Sequence, residues 1–480
     1  MGTVWMSGSK KLKQHRYEQL AKSIQQQIDE QRWMPGERLP SVRQLSETSK
    51  LSKNTVILAL HNLEAIGIVE ARPKRGYFVR AQHQQDLPTF PERTELKPTA
   101  VEVPDLFQDI MMRGAAFDVL PNGPEASPSS HLITLNRQLG KALRHKPQTK
   151  AMYYDAPLGS KELRFQVKEH YRGIGLNLAT SDFCITSGCQ QALFLALMVT
   201  CQPGDNVAVE SPVFYGVLQL LQRLRLNVIE IPSSPSHGID IQALTEASEK
   251  WKIKTCVVTP AYATPTGACI PHDNKKQIVE LANQHDMTII EDDIYGDLCF
   301  GERPLPLKVF DTDDRVILCS SFSKSLSRDL RIGWIVGGRW QNEITRLKLV
   351  TQLASNQSTQ QGLTNFIAEG NYRRHLDQFR QVLKRQRDQL ALNLRSYWPD
   401  STRFCIPEGG LSLWVEVDES INTTVTYQKA LKRDIILTPG ALFSVDDRFK
   451  NYLRLSFSHP VVGDRLDAIK FLGKLLASEL

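Results

Sequence analysis

Between about residues 150 and 340, short buried-strand candidates alternate with helical stretches; the strand candidates are 206–209, 255–259, 288–291 and 316–320. Strands that alternate with helices build a largely parallel sheet covered by those helices, so this region is committed to an α/β fold. The alternation also says where chemistry should lie, because open α/β sheets bind ligands beyond the carboxyl ends of their strands. At 480 residues the chain is long enough for a small domain as well as a large, two-lobed one. From about residue 346 a long polar helix pattern begins a smaller lobe, which 106–149 are expected to join.

Two strand ends carry unusual side chains. After 316–320 comes Ser321-Phe-Ser323-Lys324, with Arg331 seven residues past the lysine. After 288–291 come Asp292 and, three residues on, Tyr295. An aldehyde cofactor needs an amine, and a lysine supplies one when burial or a nearby cation depresses its pKa. Ser321, Ser323 and Arg331 can hold a phosphate, Arg331 through a charge-assisted fork. Asp292 can keep a pyridine nitrogen protonated, and Tyr295 can donate to a phenolic oxygen. Alone, Lys324 reads as a solvated lysine and Asp292 as a turn carboxylate; together, in this order, they predict pyridoxal 5'-phosphate held as a Schiff base on Lys324. Thr186-Ser187-Gly188-Cys189-Gln190-Gln191 opens a helix after a strand at 183–185, and such a helix start presents free N–H groups to a phosphate.

The first 80 residues read differently. Tyr17, Leu20, Ala21, Ile24 and Ile28 form the apolar stripe of one helix; Ser41 caps a second and Ser52 a third, which Gly67 stops. Strand-like runs at 68–71 and 77–79 flank Arg72-Pro-Lys74-Arg75-Gly76. Three helices and a basic hairpin describe a small, mainly α winged helix-turn-helix, expected over 10–80. Its 14 Lys/Arg against 7 Asp/Glu leave 45 of each for the rest, so the whole formal excess of +7 sits on this domain. Such an excess suits double-stranded DNA. Lys53, Asn54 and Thr55, at the start of the third helix, are placed to enter the major groove. Lys74 and Arg75, at the wing tip, would approach a phosphate or the minor groove. Residues 81–105, with prolines at 88, 91, 98 and 104, read as a linker.

The eight cysteines are scattered without CxxC or metal-ligand spacing, so no metal is expected. With no signal segment and no stretch long enough to span a bilayer, a cytoplasmic, membrane-free protein is expected.

Residues from about 106 to 480 resemble fold-type I, aspartate aminotransferase-like enzymes, with a large lobe at about 150–345 and a small lobe formed by 106–149 and 346–480. The resemblance implies that Tyr154, in Tyr-Asp-Ala-Pro-Leu-Gly, reaches the cofactor phosphate of a partner subunit, hence a homodimer. It implies that Phe214, or its neighbour Tyr215, stacks on the pyridine ring, and that Arg454, in Tyr-Leu-Arg-Leu-Ser-Phe, grips a carboxylate. The family's Asn-Pro-Thr-Gly appears as Thr264-Pro265-Thr266-Gly267, which puts a threonine where an amide would face the cofactor; Arg328-Asp329 stands where many relatives have Pro-Gly. The first 80 residues resemble the GntR family, in which Arg43 corresponds to a DNA-touching arginine. Joined, they resemble MocR-type regulators. The resemblance implies a DNA-binding transcriptional regulator that senses pyridoxal phosphate, an amino acid or an amine. A working aminotransferase with an accessory DNA-binding domain is the rival reading.

Overall fold

The computed structural model describes residues 15–30, 32–34, 36–72, 75–80, 88, 96–102, 110, 119–120, 129–145 and 154–480. The chain divides into two compact units, Met1–Asp86 with Asp388–Ser396, and Leu87–Arg387 with Tyr397–Leu480. Much of the expected linker, and Lys74 of the expected wing tip, lie outside the described residues.

In the first unit, α1 (Arg16–Asp29) buries Ala21 and Ile24. Ser41 caps α2 (Val42–Ser49): its Oγ accepts the Gln44 N–H at 3.3 Å, while Gln44 Oε1 accepts the Ser41 N–H at 2.9 Å. Each end of this reciprocal box satisfies a backbone donor that the first helical turn leaves open. Ser52 caps α3 (Lys53–Ala65) through the Thr55 N–H, and α3 buries Val56, Ala59, Leu60 and Leu63 against the other helices. β1 (Val69–Arg72) and β2 (Gly76–Val79) then pair antiparallel, Val69 opposite Val79. The winged helix-turn-helix is present as expected.

The second unit is built on a nine-stranded sheet, counted among the described residues, in the order β3-β6-β5-β8-β9-β10-β11-β4, with β7 beside β6. Its strands are β3 (Thr99–Ala100), β4 (Phe183–Thr186), β5 (Asn206–Ser211), β6 (Asn227–Ser234), β7 (Gly238–Ile239), β8 (Ile253–Val258), β9 (Thr288–Asp292), β10 (Val316–Ser321) and β11 (Gly333–Val336). The run β6-β5-β8-β9-β10 is parallel throughout; β11 alone reverses between β10 and β4. Alternate residues of one strand enter different cores: Val207 and Val209 pack in one cluster with Leu193 and Leu197, and Ala208 packs in the other with Leu244 and Ile278. Both faces are therefore apolar, which is why these strands read as continuous hydrophobic runs. β8 stops at Val258 and not at 259 as the sequence suggested, because the Thr259 N–H leaves the ladder for Glu210 Oε2 at 2.8 Å.

The long polar helix pattern read from about 346 is carried by three helices, α4 (Gln341–Gln352), α5 (Gln357–Ala368) and α6 (Asn371–Tyr397). Positive φ at Leu353 (63°) and Gly370 (72°) ends the first two. A four-stranded antiparallel sheet follows, order β12-β13-β15-β14, from β12 (Arg403–Phe404), β13 (Ser412–Glu416), β14 (Thr438–Pro439) and β15 (Tyr452–Ser456). It brings Arg454 into the protein interior, 4% exposed.

Candidate functional site

The carboxyl ends of β4, β5, β8, β9 and β10 converge on one region, and each delivers a predicted residue. After β10, the Ser323 N–H donates to Ser321 Oγ at 3.3 Å, and the N–H groups of Leu326 and Ser327 turn back onto the Phe322 carbonyl at 2.9 and 3.1 Å. This turn sets Lys324 half-buried over the sheet end. Burial first, then repulsion from Arg328 and Arg454, pushes its ammonium well below the ordinary lysine value, against a smaller opposing pull from Asp292. A lysine so placed gives up its proton more readily than an exposed one, which favours it as a nucleophilic amine.

Asp292 ends β9 and is buried. Both of its hydrogen bonds fall on one oxygen: the Cys189 thiol and the Ile294 N–H each reach Oδ1 at 3.2 Å. Oδ2 remains for a ligand. Cys189 can donate because burial and the Asp292 charge raise its pKa well above the usual thiol value. Burial lifts the Asp292 carboxyl from 3.8 to about 6, against the bonds from Cys189 and Ile294. The folded chain thus binds this proton more tightly than the unfolded chain does. The stability linked to it is complete below about pH 4 and is lost as pH rises through about 6. Asp292→Asn removes the charge that burial penalises. The cofactor-free variant is expected to be more stable than the parent at pH 8 by up to about 3 kcal/mol, the gain closing toward pH 4 in unfolding measured at both pH values.

The phosphate-side residues form a second group. Gly188, φ +98°, precedes the helix Cys189–Thr200, and a Cβ there would stand 2.7 Å from Arg331 Nη2. The positive φ is what favours glycine here, and its missing side chain lets the guanidinium approach. Arg331 Nη2 donates to the Ser187 carbonyl at 2.9 Å, while Gln352 Nε2 donates to the Ser187 hydroxyl. The guanidinium is otherwise exposed, beside the N–H groups of the helix start.

On the opposite side, Thr264 hydrogen-bonds the Tyr295 side chain. Burial raises the Tyr295 hydroxyl above its ordinary value, so it stays a donor, although the Arg454 cation pulls the other way. Arg454 lies 5.6 Å from the Tyr215 ring and 5.5 Å from the Phe443 ring. The aromatic pair therefore divides: Tyr215 lines the arginine, while half-buried Phe214 lies over Gly216 beside Gln190. Phe443 and Gln352 were not anticipated, since neither sits in a motif or at a strand end that would have drawn attention to it; Arg328, noted as a departure from Pro-Gly, was given no role. Tyr154 joins none of these groups and is 79% exposed.

In the first unit, Arg43, Lys53, Asn54 and Arg75 are exposed, and Thr55 is half-buried with its hydroxyl 2.8 Å from Ser52 Oγ. Arg43 Nε pairs with Glu47 at 3.0 Å, with side chains 81% and 65% exposed, so the pair is weak.

Residues 126–463 match the family model of aminotransferase class I and II, and residues 16–79 match that of bacterial regulatory proteins, gntR family. The chain is 35% identical over 465 residues to the HTH-type transcriptional regulator YjiR of Escherichia coli, spanning 96% of this chain and 98% of that one. It is 33% identical over 469 residues to the HTH-type regulator YdcR of the same species, spanning 97% and 100%. Among solved structures, the kynurenine aminotransferase of Pyrococcus horikoshii, in complex with PMP, superposes with a TM-score of 0.71 at 27% identity, over 79% of this chain and 95% of that one. No helix among the described residues is long and apolar enough to cross a membrane.

Proposed function

Because the chain belongs to the MocR-type transcriptional regulators, with a GntR-family DNA-binding domain and an aminotransferase class I and II domain, we propose that its larger unit holds pyridoxal 5'-phosphate through Lys324 and links it to DNA binding. The observation that carries this reading is the meeting of three groups at the strand ends. They are a lysine of depressed pKa, a buried carboxylate with one oxygen unbonded, and a helix start beside an arginine. The cofactor supplies an aldehyde that captures amines and a ring that accepts electrons.

The chain's own residues supply the rest. Lys324 would give the attaching amine, and Asp292, through Oδ2, would hold the ring nitrogen protonated. Tyr295, tied to Thr264, donates to the phenolic oxygen. The start of the helix Cys189–Thr200, with Ser187, Gly188, Cys189, Ser321, Ser323 and Arg331, holds the phosphate. Phe214 would cover the ring. Arg454 grips the carboxylate of an amino-acid effector, with Tyr215 and Phe443 along its flanks. Exposed Tyr154 is available to a second copy of the chain, and a homodimer completes each site. An effector regulates only if it binds two conformations unequally.

The test is binding of the full chain to DNA upstream of its own gene, with and without pyridoxal phosphate and with amino acids added. A cofactor-dependent shift in affinity or footprint supports the reading; equal affinity and equal footprint in every condition overturn it. Arg454→Ala separates the signals, since a response to an amino acid needs this arginine and a response to cofactor alone does not. Steady conversion of an amino acid to its keto acid would favour the aminotransferase reading.

A further inference from the structure

Ser325, the residue after Lys324, is buried and is gripped by the first turns of α6, which supply no residue of the cofactor site. Tyr372 Oη lies 2.8 Å from Ser325 Oγ and 2.8 Å from Asp297 Oδ2. A phenol has one proton and a carboxylate can only accept. The tyrosine therefore donates to Asp297, and the serine proton completes the other contact. Burial, followed by the Asp297 charge, raises the Tyr372 hydroxyl well above its ordinary pKa and keeps it protonated. One turn on, His375 Nε2 stands 3.0 Å from the Ser325 carbonyl, so that nitrogen carries hydrogen. Tyr372 and His375 share a helix face at i, i+3 and together hold the hydroxyl and the carbonyl of one residue.

Asp297 carries the connection to the other side of the site. It accepts from Arg303 Nε at 2.7 Å and from His170 Nε2 at 2.9 Å. Burial would raise its carboxyl, but these two partners hold it well below the usual range. The same Arg303 donates through Nη2 to Asp293 Oδ2 at 2.5 Å, where the Tyr171 hydroxyl also donates at 2.8 Å. Asp293 is the covalent neighbour of Asp292. A buried path, Ser325–Tyr372–Asp297–Arg303–Asp293, therefore joins the peptide beside Lys324 to the peptide beside Asp292. Buried ion pairs contribute little net stability compared with apolar packing, whereas a well-bonded network fixes geometry.

We propose that Tyr372 is a positioning residue, which sets the placement of Lys324 relative to Asp292 through Ser325 and Asp297. The proposal rests on the reading that these two residues bind pyridoxal phosphate. Tyr372→Phe removes one oxygen and keeps the ring, which packs edge-on against Phe322 at 5.3 Å. The experiment titrates full-length wild type, Tyr372→Phe and Lys324→Ala with pyridoxal phosphate. It follows visible absorbance and visible circular dichroism, with thermal unfolding measured alongside. Tyr372→Phe should bind cofactor about tenfold more weakly and show a changed visible dichroism once saturated. A lowered unfolding temperature with unchanged affinity and dichroism would mean the network only supports the fold, and would overturn the proposal. Should Tyr372→Phe fail to fold, Ser325→Ala cuts the same path from its other end and must show the same two changes. Wild type without any Lys324-dependent absorbance would remove the premise, and the inference with it.

Discussion

Lys324→Ala is expected to abolish covalent retention of pyridoxal phosphate, leaving no cofactor attached after borohydride reduction and gel filtration. Among the described residues, the other lysines with depressed pKa are Lys275 and Lys348, whose ammonium groups are engaged elsewhere, on the Leu305 carbonyl at 2.7 Å and the Pro157 carbonyl at 2.6 Å. The phosphate cradle at Gly188 and Arg331 and the Asp292 carboxylate would remain, so the variant should still bind cofactor reversibly. Its affinity should fall on the order of a hundredfold, equivalent to about 3 kcal/mol. Lys324→Arg should fail in the same way, because a guanidinium keeps its proton and cannot act as the amine. Attachment that survives both substitutions, located by peptide mapping at another lysine, would sink the assignment. The same pair of variants tests regulation: their operator affinity should be indifferent to cofactor concentrations that shift the wild type.

Residues at strand ends were legible in the sequence because chemistry and local folding coincide there. Lys324 and Asp292 each follow a short buried strand, and Gly188 opens a helix; the strand pattern alone places all three on one edge of the sheet. Arg454 was legible through its motif, and β15 carries it inward. For the pair Phe214–Tyr215, spacing from Pro212 favoured Phe214 over the ring and kept Tyr215 open, since adjacent residues at a helix start differ only in direction. The structure divides them by placing Tyr215 against Arg454. The path through Tyr372, Asp297 and Arg303 left no trace. Its members lie on separate elements, and polar residues on α6 look like the solvated face of an amphipathic helix. The helix breaks at Leu353 and Gly370 were also hidden, the first because leucine at φ 63° is held by context and not by its own preference.

The DNA-binding surface offers an effect of similar size. The triple variant Arg43→Ala/Lys53→Ala/Arg75→Ala should weaken operator binding on the order of a hundredfold at physiological salt. It should also flatten the dependence of log affinity on log salt by about 0.9 for each phosphate that is no longer neutralised. Cofactor binding should be untouched, since all three residues lie on the small unit, far along the chain from Lys324. Asn54→Ala is expected to behave differently. Exposed in the first turn of α3, it is expected to face base edges, and on that reading its loss should cost about 1–3 kcal/mol on the preferred operator, relax discrimination at one base pair and leave the salt slope unchanged. Arg43 adds a further contrast. In the free protein it is paired with Glu47 at 3.0 Å, and DNA must compete with that carboxylate. Glu47→Gln should therefore tighten binding a few-fold, by roughly the 0.3–0.5 kcal/mol of an exposed i,i+4 pair together with the relief of one negative charge near the phosphates. Affinity measured against salt for these variants separates the roles. If the triple variant kept the wild-type slope, the phosphate-binding residues would have to be sought on another face of the domain. If Asn54→Ala changed the slope and not the sequence preference, it would touch the DNA backbone, and base reading would pass to Lys53 or Thr55.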